Sequence, residues 1–405
     1  MRLLRTSLLL GALLTAVLVC PSAYAANPLA GKHIFMDCQA GTEVTAPQYN
    51  PWYWFHHYQG RDATKANLIG KIAKVPAVKH FAGNSVRPNP TKIVDRWMAR
   101  VDDPQLGGPN CDTPLAQGER DEYVGDYPVI AIRAMVHDRC RGWSGGEWNT
   151  TSPNGLYKRW IDVFVKSLGR TWDGPGRFKY RDSAPYPDSD FRPIDREATV
   201  IIEPDALALT GKRSRCLTSQ GRKNRYALLT YAAKKFSEMP NVNAYMDVGA
   251  SDWMTSPSEA VSLLKKAGVR YIRGFALNSN HFEYTRSEIR FGNAVAKRLG
   301  KHYVVNTAEN ANGPLPRRFW KNGSVKSKVC NPKNAGLGTQ PTSNTGSPYA
   351  DALLWVSRPG LSSNGKNGKS ECGRGPLDNV WWEPHALELA RQASFKQPYW
   401  PPRPL

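Results

Sequence analysis

From about residue 128 onward the chain alternates short β-branched or apolar runs with longer helical patterns, and this alternation limits its fold more than any other feature. Repeated strand–helix units bury their apolar faces by building a parallel sheet with helices packed against it. The runs predict strands at 128–135, 199–203, 243–247, 271–277, 302–306 and 352–356, and helices at 156–168, 224–238, 257–267 and 287–299. A parallel barrel gathers its chemistry at the C-terminal ends of the strands, where the loops leave. Asp205, Asp247, Asn278 and Asn306 all fall at such ends. One Asp or Asn in that place ordinarily caps a helix or makes a turn; four in corresponding places point to a shared site. Two long loops, 171–197 and 361–380, have the length of segments that border clefts.

Residues 1–25 read as an export signal: Arg2 and Arg5, an apolar run from Leu8 to Val19, then Ala23-Tyr24-Ala25 before Ala26. The apolar run is shorter than the ~20 residues a bilayer-spanning helix needs, so no membrane span is expected. Residues 26–405 are then one large domain of a secreted, extracellular protein. Cys38, Cys111, Cys140, Cys216, Cys330 and Cys372 remain after cleavage, and an even number without short CxxC spacing favours disulfides over a metal cluster. The formal charge is +21 for the full chain, which suits an approach to anionic wall polymers. The basic residues are scattered and no nucleic-acid motif surrounds them, so no nucleic-acid partner is expected. No cofactor motif is present: P-loop, HExxH, GxSxG and a strand-linked GxGxxG are all missing.

Glycoside hydrolysis needs one carboxyl to protonate the leaving oxygen and a second carboxylate to act from the opposite face. Asp205 suits the first role, because it lies between the apolar strand Val200-Ile201-Ile202 and the run Ala206-Leu207-Ala208-Leu209, a setting that desolvates a carboxyl and holds its pKa up. Aromatic faces bind sugar rings, and among the 13 Trp residues Trp253 follows the Asp247 strand end most closely. Trp320 and Trp355 are further candidates.

Ile202-Glu203-Pro204-Asp205 resembles the IEPD motif of glycoside hydrolase family 6, the cellobiohydrolases and endoglucanases that cleave β-1,4-glucan with inversion. Tyr245-Met246-Asp247 with Gly249 and Trp253 resembles the family's Y-x-D-x-G-H-x-x-W, with Ala250 in place of the His. Leu277-Asn278-Ser279-Asn280 resembles T-N-x-x-N less one residue, and Asp351 to Val356 resembles D-A-x-x-W-V. The resemblance implies a distorted parallel (β/α) barrel in a single large domain, acting as a monomer on β-glucan without metal or cofactor. It implies Asp205 as general acid, with Asp247 and Asp138 assisting, and Trp253, Asn278, Asn280, Trp320, Trp355, Arg358 and Asn364 as substrate contacts. It also implies disulfides Cys140–Cys216 and Cys330–Cys372, leaving Cys38 and Cys111 for a third.

Two departures bear on catalysis. Where the family carries Y-x-x-P-x-R-D-C, this chain has Arg133 in the Tyr position and the order Asp138-Arg139 before Cys140. Where the family carries its base in W-V-K-x-P-G-E-x-D-G, Asn364 takes the Asp position with one residue inserted, and an amide is no proton acceptor. Glu371 and Asp378, from the same loop, are the alternative bases. The expected function is a secreted β-1,4-glucanase or cellulase; the alternatives are a catalytically impaired glucan- or wall-binding protein of the same fold, or a hydrolase of a different, anionic glycan.

Overall fold

The computed structural model describes residues 26–36, 51–82, 91–102, 125–135, 155–174, 187–214, 217–314, 320–321, 324–325, 331–363, 375–377, 379–400 and 402–405. Among these, seven strands form one sheet in sequence order: β1 (Lys79–Ala82), β2 (Val129–Arg133), β3 (Ala198–Ile202), β4 (Val242–Asp247), β5 (Gly274–Leu277), β6 (His302–Asn306) and β7 (Ala350–Leu354). Every neighbouring pair is parallel.

Both faces of the sheet are buried, which is why its strands read as continuous apolar runs. Successive side chains in a strand point to opposite faces. Ile130, Ile132, Val200, Ile202, Met246, Phe275, Tyr303 and Val305 therefore face a layer shared with the helices. The alternate residues Val129, Ala131, Ile201, Tyr245, Ala276, Val304, Ala352 and Leu354 face one another inside the curl. Three of those are alanines, as a narrow interior requires. The two edges meet where the Val78 amide donates to the Trp355 carbonyl at 2.8 Å, which makes the sheet a distorted, barrel-like half-cylinder. The chain ends stop one mouth: Leu29 and Leu405 join the inner cluster, and the Gly31 amide donates to the Leu405 carbonyl.

Helices α1 (Pro51–Tyr58), α2 (Ala63–Ala73), α3 (Thr91–Asp102), α4 (Leu156–Leu168), α5 (Ser219–Ser237), α6 (Pro257–Lys266), α7 (Thr285–Leu299) and α8 (Glu383–Arg391) complete the described elements. Their ends carry their own stop and start signals. The Ser256 hydroxyl accepts the Glu259 amide, an N-cap ahead of Pro257 that begins α6, and Gly300 at φ 63° ends α7 in the left-handed region.

The sequence-predicted strands and helices are present with shifted ends, save two corrections. The strand expected at 271–277 begins only at Gly274, because Val269–Tyr271 forms a 3-10 turn. The loop 171–197 contains a short antiparallel pair, Arg170–Trp172 with Phe191–Pro193, braced by the buried ion pair of Arg170 with Asp95. Strand β1 and helices α1 to α3 and α8 were not foreseen. Residues 1–25, Asp138, Asn364, Glu371, Asp378 and the six mature cysteines lie outside the described residues.

Candidate active site

The C-terminal ends of β3, β4 and β5 converge on Asp205. Glu203 and Asp205 both have positive φ, 52° and 72°, around Pro204, so the chain turns sharply as it leaves β3. Asp tolerates that region better than most residues, and such strain persists where the surroundings over-determine it. The turn sends the two carboxyls in different directions. Glu203 is fully buried, and its Oε1 accepts the amides of Ala134 (2.9 Å) and Met135 (3.0 Å), satisfying the backbone where β2 ends. Burial pushes its carboxyl up to about 7 against the pull of those two amides.

Asp205 points toward the strand ends. Its amide donates to Asp247 Oδ1 at 2.8 Å, and its Oδ2 accepts from Asn280 Nδ2 at 2.5 Å. Arg133, at the end of β2, brings Nη2 to 3.7 Å from the same oxygen. Oδ1 is buried and unpaired. Asp247 is wholly buried and also accepts the Gly249 amide (2.9 Å) and the Ser279 hydroxyl (2.5 Å). Burial first, then the charge of Asp205, pushes the Asp247 carboxyl upward. The arrangement fixes Asp205 from its backbone and from Oδ2, while Oδ1 is buried with no hydrogen-bond partner among the described residues.

Beyond Ser279 the polar chain continues. The Ser279 carbonyl accepts the Ser357 hydroxyl (2.9 Å), whose oxygen accepts Asn306 Nδ2 (2.8 Å). Asn306 Oδ1 takes the amides of Ala308, Val356 and Ser357. Asn278 Nδ2 donates to the carbonyls of Glu283 and Asn306, and its Oδ1 accepts the Glu283 amide. Asn278 and Asn306 are both completely buried. They staple neighbouring strand ends together, which corrects the expectation that Asn278 contacts substrate.

Trp355 requires the same correction. It is 1% exposed, packed in a cluster with Trp52, Phe55 and Leu389, and its indole donates to the Thr339 carbonyl, so it is core. Trp253 is half-buried against the Asp205 side of the molecule and Asn280 touches Asp205 itself, so both remain at the site. Arg358 is exposed after β7 and bonds Asn379. Trp320 lies in a two-residue strand paired with Ser324–Val325. Among the described residues no group of three His, Cys, Asp or Glu side chains is placed to hold a metal ion.

Sequence reasoning did not single out three groups. Ser279 supports Asp247. Asp252 and His281 face each other at 3.2 Å, with the His281 ring 5.0 Å from that of Trp253. The available signal was position: each lies within two residues of a motif residue. Burial alone would drive the His281 imidazole down, but Asp252, then Asp205 and Glu288, hold it up at about 9. On the β1 side the opposite holds. His80 donates Nε2–H to the Val356 carbonyl, and burial followed by the charges of Arg358 and Arg133 pushes it down to about 3.

A parallel sheet curled into a half-barrel with two carboxyls at adjoining strand ends defines a class of glycosidase-like scaffold, and the comparisons with known proteins narrow it. The family model described as Glycosyl hydrolases family 6 matches residues 189–393. The chain belongs to that family. It is 30% identical over 360 residues to Endoglucanase A of Cellulomonas fimi, across 87% of this chain and 61% of that protein, and 34% identical over 240 residues to Endoglucanase 1 of a Streptomyces species. The chain thus spans 55–61% of the length of these curated relatives. The solved endoglucanase Cel6 from Mycobacterium tuberculosis superposes with a TM-score of 0.64 at 26% identity, covering 91% of this chain and 99% of that one.

Proposed function

We propose that this protein is a secreted hydrolase of β-1,4-glucan that inverts the anomeric centre, with Asp205 as general acid. The observation that carries the reading is the fixation of Asp205: its amide is tied to Asp247 and its Oδ2 to Asn280, with Oδ1 left unpaired. A proton on the Asp205 carboxyl then passes to the glycosidic oxygen as the bond to the anomeric carbon breaks, while water attacks from the opposite face. Asp247 holds the Asp205 backbone and faces the developing positive charge of the ring. Trp253 offers the nearest aromatic surface for a sugar. Family membership and the endoglucanase names of the relatives support the substrate class.

A second reading, a glucan-binding protein that has lost turnover, is favoured by Arg133. Its guanidinium stands 3.7 Å from Asp205 Oδ2, in the place where the resembling motif has a Tyr. The missing base at Asn364 acts in the same direction. Reducing-sugar release from β-1,4-, β-1,3- and mixed-linkage glucans, with wild type beside Asp205→Asn and Asn364→Asp, separates the two. Release from β-1,4-glucan that falls by about 10³-fold or more in Asp205→Asn supports hydrolysis. No release from wild type, with binding retained and activity gained in Asn364→Asp, establishes the binder instead. Asn is the better replacement than Ala, since it tolerates the left-handed backbone of this position.

A further inference from the structure

The Asp205 side of the site is crowded with carboxyls. Asp247 ends β4, Asp252 follows on the β4 loop, Glu283 lies on the β5 loop, and Glu288 is completely buried in the first turn of α7. Glu288 Oε1 accepts the Ser251 amide at 2.8 Å, Oε2 has no hydrogen-bond partner, and burial holds the group up at about 8. One imidazole sits among them. The His281 and Asp252 side chains are 12% and 11% exposed, their facing atoms 3.2 Å apart. Arg213 approaches Asp252 from beyond β3 through a bond to the Asp252 carbonyl.

The loops that carry this pair are tied to the loops that carry the site. The Asn278 amide donates to the Gly249 carbonyl at 2.7 Å, the His281 amide donates to the Asn278 carbonyl, and Asn280, next to His281, bonds Asp205. Trp253 packs over Gly249, where an added Cβ would stand 3.2 Å from the indole, and its ring lies 5.0 Å from the His281 ring at a tilt of 35°. Ala250, where the resembling motif has a His, is completely buried and offers no charge.

We infer that His281, paired with Asp252 and in tilted ring contact with Trp253, is a positioning residue of the Asp205 site: it supplies from the β5 loop a buried positive charge that offsets the surrounding carboxyls and fixes the Trp253 face beside them. The inference rests on the proposed role of Asp205.

The test is the titration of the His281 imidazole by nitrogen-detected NMR in wild type, Asp252→Asn and Asp205→Asn, with turnover measured in His281→Gln and His281→Lys. The wild-type ring is expected to stay charged to about pH 8, and its midpoint to fall in both Asp variants, by about one unit or more in Asp252→Asn. Turnover is expected to drop about tenfold in His281→Gln and to recover in His281→Lys, which keeps a cation. A wild-type midpoint near the ordinary histidine value, a midpoint unmoved by Asp205→Asn, or a His281→Lys protein no better than His281→Gln would overturn the inference. The titration needs no turnover, so a wild type that releases no sugar counts against the proposed hydrolysis while the Asp205→Asn shift still decides this question.

Discussion

The two sides of the strand-end surface are built from different materials. On the β3–β5 arc, Glu203, Asp205, Asp247, Asp252 and Glu288 each engage backbone amides or cations, and bonds pass from loop to loop. On the β7 rim, residues 355–363 contain no carboxyl, and Ser357, Ser362 and Ser363 spend their hydroxyls on neighbouring backbone or amide groups. Glu309, which follows β6, is a buried acid beside that rim, 3.9 Å from His385 and in hydrogen-bonding reach of the Gly360 amide. The difference teaches that the arc gathers its carboxyls onto backbone amides and cations, while the described part of the rim, residues 355–363, uses its hydroxyls to join neighbouring segments.

The largest expected effect is on stability. Burial holds Glu203 and Glu309 up at about 7 and Glu288 at about 8, against 4.5 for free glutamate. Between those values the folded state keeps protons that the unfolded chain releases, so stability falls as pH rises through that window. The His281 pair contributes fully below 6.5 and is lost as pH rises through about 9. His80, held down at about 3, acts oppositely: its contribution is present above 6.5 and lost as pH falls toward 3. Urea unfolding should therefore show a maximum near pH 4–5, where three raised glutamates outweigh the one lowered histidine above it, and a loss on the order of several kcal/mol by about pH 9. Glu288→Gln should flatten the alkaline decline more than Glu309→Gln; the reverse would break the contrast between arc and rim.

Asp247→Asn comes next. The amide can still accept from one side but loses the charge that holds the Asp205 and Gly249 amides. Turnover should fall about 100-fold with little change in KM, because the lost interaction serves the reacting geometry. A fall confined to KM would mean that Asp247 is part of substrate binding alone.

Much of this was legible in the sequence. Strands β2 to β7 stand out because both their faces are buried and their residues are apolar on each. Strand β1, Lys79-His80-Phe81-Ala82, was not legible: its membership depends on closure against the tail of β7, an interaction 276 residues away from His80 to Val356. Asp205 and Asp247 were found from strand-end position and motif together. Asn278 and Asn306 shared the position but proved to be staples, since a side-chain amide can satisfy both a carbonyl and an amide between adjoining strands. Trp355 was misread because an aromatic at a strand end looks alike from sequence whether it faces a groove or the core. His281 and Asp252 escaped notice because only the fold brings their loops together.

The smallest effects distinguish the arc from the rim at single hydrogen bonds. Asn280→Ala removes the donor from Asp205 Oδ2 and leaves Arg133 as its remaining described partner, so turnover should fall about tenfold. Ser357→Ala removes a brace between Asn306 and the Ser279 carbonyl. Leaving those two groups unpaired should cost about 1–2 kcal/mol in unfolding measurements. Because Ser357 touches no carboxyl, its effect on turnover should stay within about threefold. Equal losses of turnover in the two variants would mean that the rim still takes part in the chemistry through Ser279 and Asp247, and that the two sides act as one network. Unequal losses, with the stability cost falling on Ser357→Ala, would assign chemistry to the arc and support to the rim.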